Sequence, residues 1–128
     1  MRLLLDTHLL LWTAEGSERL SHSASRFIED PTSELFFSAA SLWEIAIKLR
    51  RGHDDFQVDP RLLRRLLLSL HYEELPVTGE HAVAVGDLPV LHKDPFDRLL
   101  VAQSIVEGVT LLTADRQVAR YSDAIRLV

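Results

Sequence analysis

The stretch HKDPFDRLLVAQS, residues 92–104, sets Asp94 and Asp97 around Pro95 and Phe96 and then runs into Leu99, Leu100, Val101 and Ala102. A carboxylate in the first turn of so apolar a helix needs a partner. Three further acids raise the same question. Asp6 stands inside LLLDTHLLLW, and Glu44 inside SLWEIAIKL, where a solvated acid is not expected. Asp115 follows VTLLTA. Carboxylates brought together repel, and two that share a site cannot both ionise without help. A hard divalent cation relieves the repulsion, and Mg²⁺ or Mn²⁺ prefers oxygen ligands. The chain has no cysteine and no pair of histidines at ligand spacing, which disfavours zinc. The chemistry these residues suggest is an acidic, oxygen-lined Mg²⁺ or Mn²⁺ pocket.

The elements that must position these acids follow from periodicity and punctuation. Residues 2–5 (RLLL) read as a buried strand ending at Asp6, and residues 8–14 as a short helix stopped at Gly16. Leu20, Ala24, Phe27 and Ile28 give helical spacing over 18–29, and Pro31 ends that segment. A second strand covers 34–37, and Ser38 caps a helix over 39–51 closed by Gly52. Asp59 and Pro60 open a helix through RLLRRLLLSL, residues 71–75 give a weak third strand, and Thr78 caps a helix to Val85. Asp94 and Pro95 open the helix that Gly108 stops, followed by a strand over 109–112, a short helix over 115–121 and a last strand over 125–127. Strands alternate with helices throughout, the pattern of an α/β domain with a mainly parallel sheet and helices on both faces. Such sheets hold ligands beyond the carboxyl ends of their strands, where strand order reverses. All four acids map to that edge, and Asp6 and Asp115 share one crevice if the first and fourth strands are neighbours.

Each acid also has a purely structural explanation. Asp6, Asp97 and Asp115 suit helix starts, with Asp94 as the cap before Asp97. Glu44 and Lys48 are spaced i,i+4, a pairing that supports a wet helix face by only ~0.2–0.5 kcal/mol. Taken singly these explanations are preferred; taken jointly, the shared edge and the apolar surroundings favour a site.

Length and charge narrow the classes. With 128 residues, nearly half of them apolar, the chain is expected to be one domain over 1–128 with a core of its own. Absence of cysteine fits a reducing cytoplasm. Asp6 and His8 interrupt the first apolar run and no small-residue cleavage site follows, so no signal peptide is expected. No run approaches the ~18 apolar residues of a membrane span. The net charge of −5 argues against a passive duplex-coating protein. It is compatible with a nuclease whose cations invert the local charge.

LLLDTHLLLW (3–12), SAASLWEIAIK (38–48), HKDPFDRLLVAQS (92–104) and LLTADRQVARY (111–121) resemble, in order and spacing, the motifs of PIN-domain ribonucleases, specifically VapC-type toxins of toxin–antitoxin pairs. The resemblance implies a Mg²⁺- or Mn²⁺-dependent endoribonuclease, with a sheet of about five parallel strands in which the first and fourth are adjacent. It maps the family's acids to Asp6, Glu44, Asp97 and Asp115, its fourth-motif hydroxyl to Thr113, and the residue after the first acid to Thr7. It also implies a homodimer and a cognate VapB-type antitoxin whose C-terminal segment sends a basic side chain towards the acids. On this reading a metal-activated water attacks the RNA phosphodiester in line. Asp6 and Asp97 are expected as direct ligands, with Asp115 completing the site directly or through water. Glu44 holds a second ion or positions the attacking water; one ion or two stays open.

Among the other residues, Lys48 is the best candidate to hold a substrate phosphate, being one turn beyond Glu44. Arg61, Arg64 and Arg65 read as a solvated stripe, and Trp12 and Trp43 as core. Leu62, Leu63, Leu66, Leu67 and Leu70 read as core or as part of a dimer face. His8 and His92 flank the acidic motifs, and neither is assigned a role. A haloacid-dehalogenase-like phosphatase would need a second Asp where His8 stands, and ELFFSAAS offers no phosphoacceptor Asp for a response regulator. The remaining rival is a non-catalytic PIN scaffold that binds RNA or a protein partner.

Overall fold

Leu3 and Leu5 point to one side of the sheet and Leu4 to the other, because successive strand residues alternate faces. In the computed structural model, which describes residues 1–128, all three are fully buried. The strand they form, β1 (Arg2–Leu5), is therefore covered on both faces, which requires a helical layer on each side. Leu3, Leu5, Phe37 and Leu112 face one layer, where Leu9, Leu10, Ala24, Ile45, Leu63 and Leu67 complete a core. Leu4, Phe36 and Leu111 face the other, against Leu100, Val101 and Val118.

The elements run β1, α1 (Thr7–Glu15), α2 (His22–Glu29), β2 (Glu34–Ser38), α3 (Ala39–Arg50), α4 (Pro60–Ser69), β3 (Glu73–Leu75), α5 (Gly79–Ala84), α6 (Pro95–Glu107), β4 (Thr110–Thr113), α7 (Arg116–Ala119) and β5 (Arg126–Leu127). A 3₁₀ turn over Val85–Asp87 follows α5. The five strands are all parallel, in the order β3-β2-β1-β4-β5. The chain winds outward from β1 through β2 to β3, then crosses back to place β4 on the other side of β1. The switch point is therefore the β1–β4 boundary, and the backbone N–H of Asp6 extends that ladder with a 3.1 Å bond to the Leu112 carbonyl. No helix is long and apolar enough to cross a membrane.

Most boundaries fall where the caps put them. Asp6, Ser38, Asp59, Thr78 and Asp94 each accept a first-turn N–H through the side chain, and Gly16 and Gly108 end their helices at φ of 62° and 66°. Several expectations need correction. The helix expected from residue 18 begins at His22, because Ser21 accepts the Ala24 N–H and residues 17–20 form a turn. The fourth strand is Thr110–Thr113, one residue later than expected, since β4 pairs Leu3 with Thr110. Trp43 is not core: it is 60% exposed and packs edge-to-face on Phe96 at 5.2 Å, whereas Trp12 is half-buried, one part against the core and one part open to the surface. Of the α4 leucines Leu63 and Leu67 are buried and Leu62, Leu66 and Leu70 are exposed, so of the two alternatives only the one that made them all core is overturned.

Candidate metal centre

Asp6 sits where β1 passes into α1 and is 6% exposed. Its Oδ1 accepts the Leu9 N–H at 2.9 Å, and its Oδ2 accepts the Thr113 hydroxyl at 2.6 Å across the β1–β4 boundary. Capping is thus part of its work, as the structural explanation holds. It does not exhaust a carboxylate, which has about four lone-pair sites. Burial pushes the Asp6 carboxyl up from the ordinary range, against the lowering effects of the Thr113 and Leu9 hydrogen bonds. Thr113 is itself fully buried and also accepts the Asp115 N–H at 3.0 Å, so one hydroxyl ties the Asp6 side chain to the Asp115 backbone.

Asp97 is in the first turn of α6, but Asp94 is the cap, accepting the N–H groups of Phe96 at 2.8 Å and Asp97 at 3.2 Å. That leaves the Asp97 carboxyl without a capping duty. It is pushed up to about 8, first by burial, then by the charges of Asp94, Glu44, Asp6 and Asp115. The acids that stand far apart in sequence thus act on one another in space. Asp115 caps α7 through Oδ1, which accepts the Gln117 N–H at 2.8 Å, and presents Oδ2 to the crevice.

Glu44 corrects the view of the Glu44–Lys48 spacing as a wet helix pair. Glu44 is 2% exposed, and its Oε2 is 2.5 Å from the Lys48 ammonium, which also lies 4.6 Å from the Phe56 ring centre. Its Oε1 is buried and has no hydrogen-bond partner. An orphaned buried carboxylate oxygen is costly, and a cation is one group that would satisfy it. Lys48 is committed to Glu44 and does not stand free for a phosphate. Thr7, 2% exposed, donates to Ser41 Oγ at 2.9 Å and so ties α1 to α3 below the crevice.

His92, left without a role by the sequence, stands inside the cluster. Its Nε2 is 3.2 Å from Asp97 Oδ2 and 3.2 Å from Asp115 Oδ2. Potential ligand atoms of His92, Asp97 and Asp115 lie within 4.8 Å of one another. Asp6 and Glu44 stand outside that spacing and reach Asp97 through their fields. The His92 Nδ1 accepts the Asp94 N–H at 3.1 Å, so the ring proton is on Nε2, directed at the two carboxylates. The His92 backbone N–H donates to the Tyr121 hydroxyl at 2.9 Å, which fixes the loop. The signal available was the HKD spacing, two residues before a helix cap; nothing in the sequence marks Tyr121 as its support. The donor set, dominated by carboxylate oxygens with one buried oxygen unsatisfied, fits Mg²⁺ or Mn²⁺.

Residues 3–124 match the PIN domain family. The chain is 33% identical over 115 residues to ribonuclease VapC22 of Mycobacterium tuberculosis, covering 89% of this chain and 87% of that protein. Among solved structures it is similar to VapBC2 from Rickettsia felis, bound to a DNA fragment from its promoter. That match has a TM-score of 0.71 at 16% identity, over 100% of this chain and 98% of the other. It is also similar to the sarcin-ricin loop cleaving toxin VapC20 of Mycobacterium tuberculosis, with a TM-score of 0.61 at 18% identity, over 94% of this chain and 97% of that one.

Proposed function

Because the chain belongs to the PIN-domain family, in its branch of VapC-type toxins, we propose that it is a Mg²⁺- or Mn²⁺-dependent endoribonuclease and the toxin of a toxin–antitoxin pair. The observation that carries the reading is the convergence of His92, Asp97 and Asp115, whose potential ligand atoms lie within 4.8 Å of one another; burial and the charges of Asp94, Glu44, Asp6 and Asp115 push the Asp97 carboxyl up to about 8. The orphaned, buried Glu44 Oε1 supports the same reading.

Asp6, Asp97 and Asp115 are the residues that would hold the cation, with Glu44 as a further ligand or as the holder of a second ion. When bound, the cation lowers the pKa of a coordinated water and neutralises charge on the phosphoryl oxygens. The rest is the work of the chain. Thr113 orients the Asp6 carboxylate and the turn that carries Asp115. Lys48 pairs with the buried Glu44 carboxylate and holds it in place. Thr7 holds α1 against α3. His92 donates its Nε2 proton towards Asp97 and Asp115 and keeps both carboxylates turned into the crevice.

Residues 1–128 are read as one PIN domain acting on RNA in the cytoplasm. Its partners on this reading are a second copy of the chain and a VapB-type antitoxin, in keeping with the VapBC complexes it resembles in fold. The test is cleavage of total RNA by the purified chain with Mg²⁺, with Mn²⁺ and with EDTA, alongside Asp6→Asn and Asp97→Asn. Cleavage that needs the cation and is lost in both variants is expected. RNA binding without cleavage under every cation would replace this reading with that of a non-catalytic scaffold. Wild-type rates in either variant would remove that acid from the site.

A further inference from the structure

Beside the acids lies a second feature that the cation chemistry does not use. A cavity of about 460 Å³ is lined by Asp6 and Asp115 together with Trp12, Arg19 and Arg116, three side chains that the cation does not use. That volume is in the range of small-ligand sites, ~300–1,000 Å³. The Arg19 guanidinium is 4.8 Å from the Trp12 ring centre, and His8 packs on the same ring at 5.6 Å. Arg19 has one carboxylate partner, Asp55 at 3.3 Å, and both side chains are largely in water, so the pair is weak and easily exchanged. Arg116 is exposed and enters no ion pair. In a chain of net charge −5, two arginines and an indole thus gather at the mouth of the acid cluster.

We infer that this cavity is a nucleotide subsite next to the scissile phosphate, in which Arg116 takes the adjoining phosphate and the Trp12–Arg19 pair stacks on one unpaired base. The inference rests on the nuclease reading for its orientation. A polyanion approaching carboxylates needs cationic contacts beyond the metal, and Arg116 is the uncommitted cation on the cavity wall. Planar guanidinium and indole groups are the surfaces on which a splayed-out base stacks, and a base held in a duplex cannot reach them. The subsite therefore selects a strand with an unstacked nucleotide beside the cut.

The experiment uses the full chain carrying Trp43→Phe, which leaves Trp12 as the only tryptophan. Its fluorescence is titrated with a randomised single-stranded 12-nucleotide RNA pool and with a blunt RNA duplex, with Ca²⁺ in place of Mg²⁺ to slow cleavage. Single strands are expected to quench Trp12 and the duplex to leave it bright. In Arg116→Gln, an exposed change that does not touch the core, the slope of log Kd against log salt should fall by about 0.7, the loss of one phosphate contact to a single strand. Binding that leaves Trp12 bright, equal quenching by duplex, or an unchanged slope overturns the subsite. A chain that cuts RNA with Trp12 still bright keeps the nuclease reading and loses this one. A chain that passes both binding tests but never cuts in Mg²⁺ or Mn²⁺ does the reverse.

Discussion

Replacing Asp97 with asparagine gives the sharpest test of the acid cluster, because it removes one charge at nearly constant shape. The Asp97 carboxyl goes from 3.8 in the open chain to about 8 in the fold, with its side chain 21% exposed. A raised acid pKa means that the folded state holds the proton more tightly than the unfolded state. This contribution is therefore fully present below pH 4 and is lost as pH rises through about 8. At 1.36 kcal/mol per pK unit, the loss for the metal-free wild type is on the order of 5 kcal/mol. The asparagine amide stays neutral at every pH and escapes it. Urea unfolding in EDTA should find the Asp97→Asn variant within about 2 kcal/mol of wild type at pH 5 and on the order of 5 kcal/mol more stable at pH 9. The groups facing Asp97, namely Asp94, Glu44, Asp6, Asp115 and the His92 ring, are unchanged in the variant. Adding Mn²⁺ at a hundred times its Kd should return about 2.7 kcal/mol to wild type at high pH and little to the variant. A stability difference that is the same at pH 5 and pH 9 would refute the idea that Asp97 sits among uncompensated carboxylates.

Other perturbations test the supporting residues. Lys48→Met strands the buried Glu44 charge and should cost roughly 3–5 kcal/mol in urea unfolding; adding Glu44→Gln should restore most of it. His92→Ala should weaken Mn²⁺ binding, read by calorimetry or by electron paramagnetic resonance, by roughly 10–100-fold; unchanged affinity would leave His92 without a part in the site. Thr113→Val removes a bond that lowers the Asp6 pKa, so the acid limb of the pH–rate profile should move to higher pH.

Strand alternation, cap residues and stop glycines are local features, and they were legible in the chain itself. Asp94-Pro95 could only open a helix and Gly108 could only close it cheaply, so α6 was placed almost to the residue. The acids too were visible locally, as carboxylates set in apolar sequence. Burial was less legible where a side chain's surroundings come from another element. Trp43 looks like core from its apolar neighbours, yet α3 turns that position outward. The Glu44–Lys48 pair looks like a solvated ladder, yet the packing of α3 against neighbouring elements buries the glutamate.

The sequence by itself determined the element types and the α/β class, because those depend on side-chain period and on backbone chemistry within a few residues. The order β3-β2-β1-β4-β5, with the switch beside β1, is a relation between segments about a hundred residues apart. Periodicity alone left that order open; the family resemblance suggested the β1–β4 neighbours, and the fold puts them side by side. That adjacency lets Thr113 reach Asp6. It also brings Asp97 and Asp115 around His92, and walls the crevice with Trp12, Arg19 and Arg116. Distances between carboxylates, and hence their pKa values and their capacity to hold an ion, are set by that long-range packing, because electrostatic interaction depends on separation in space and on burial rather than on position along the chain.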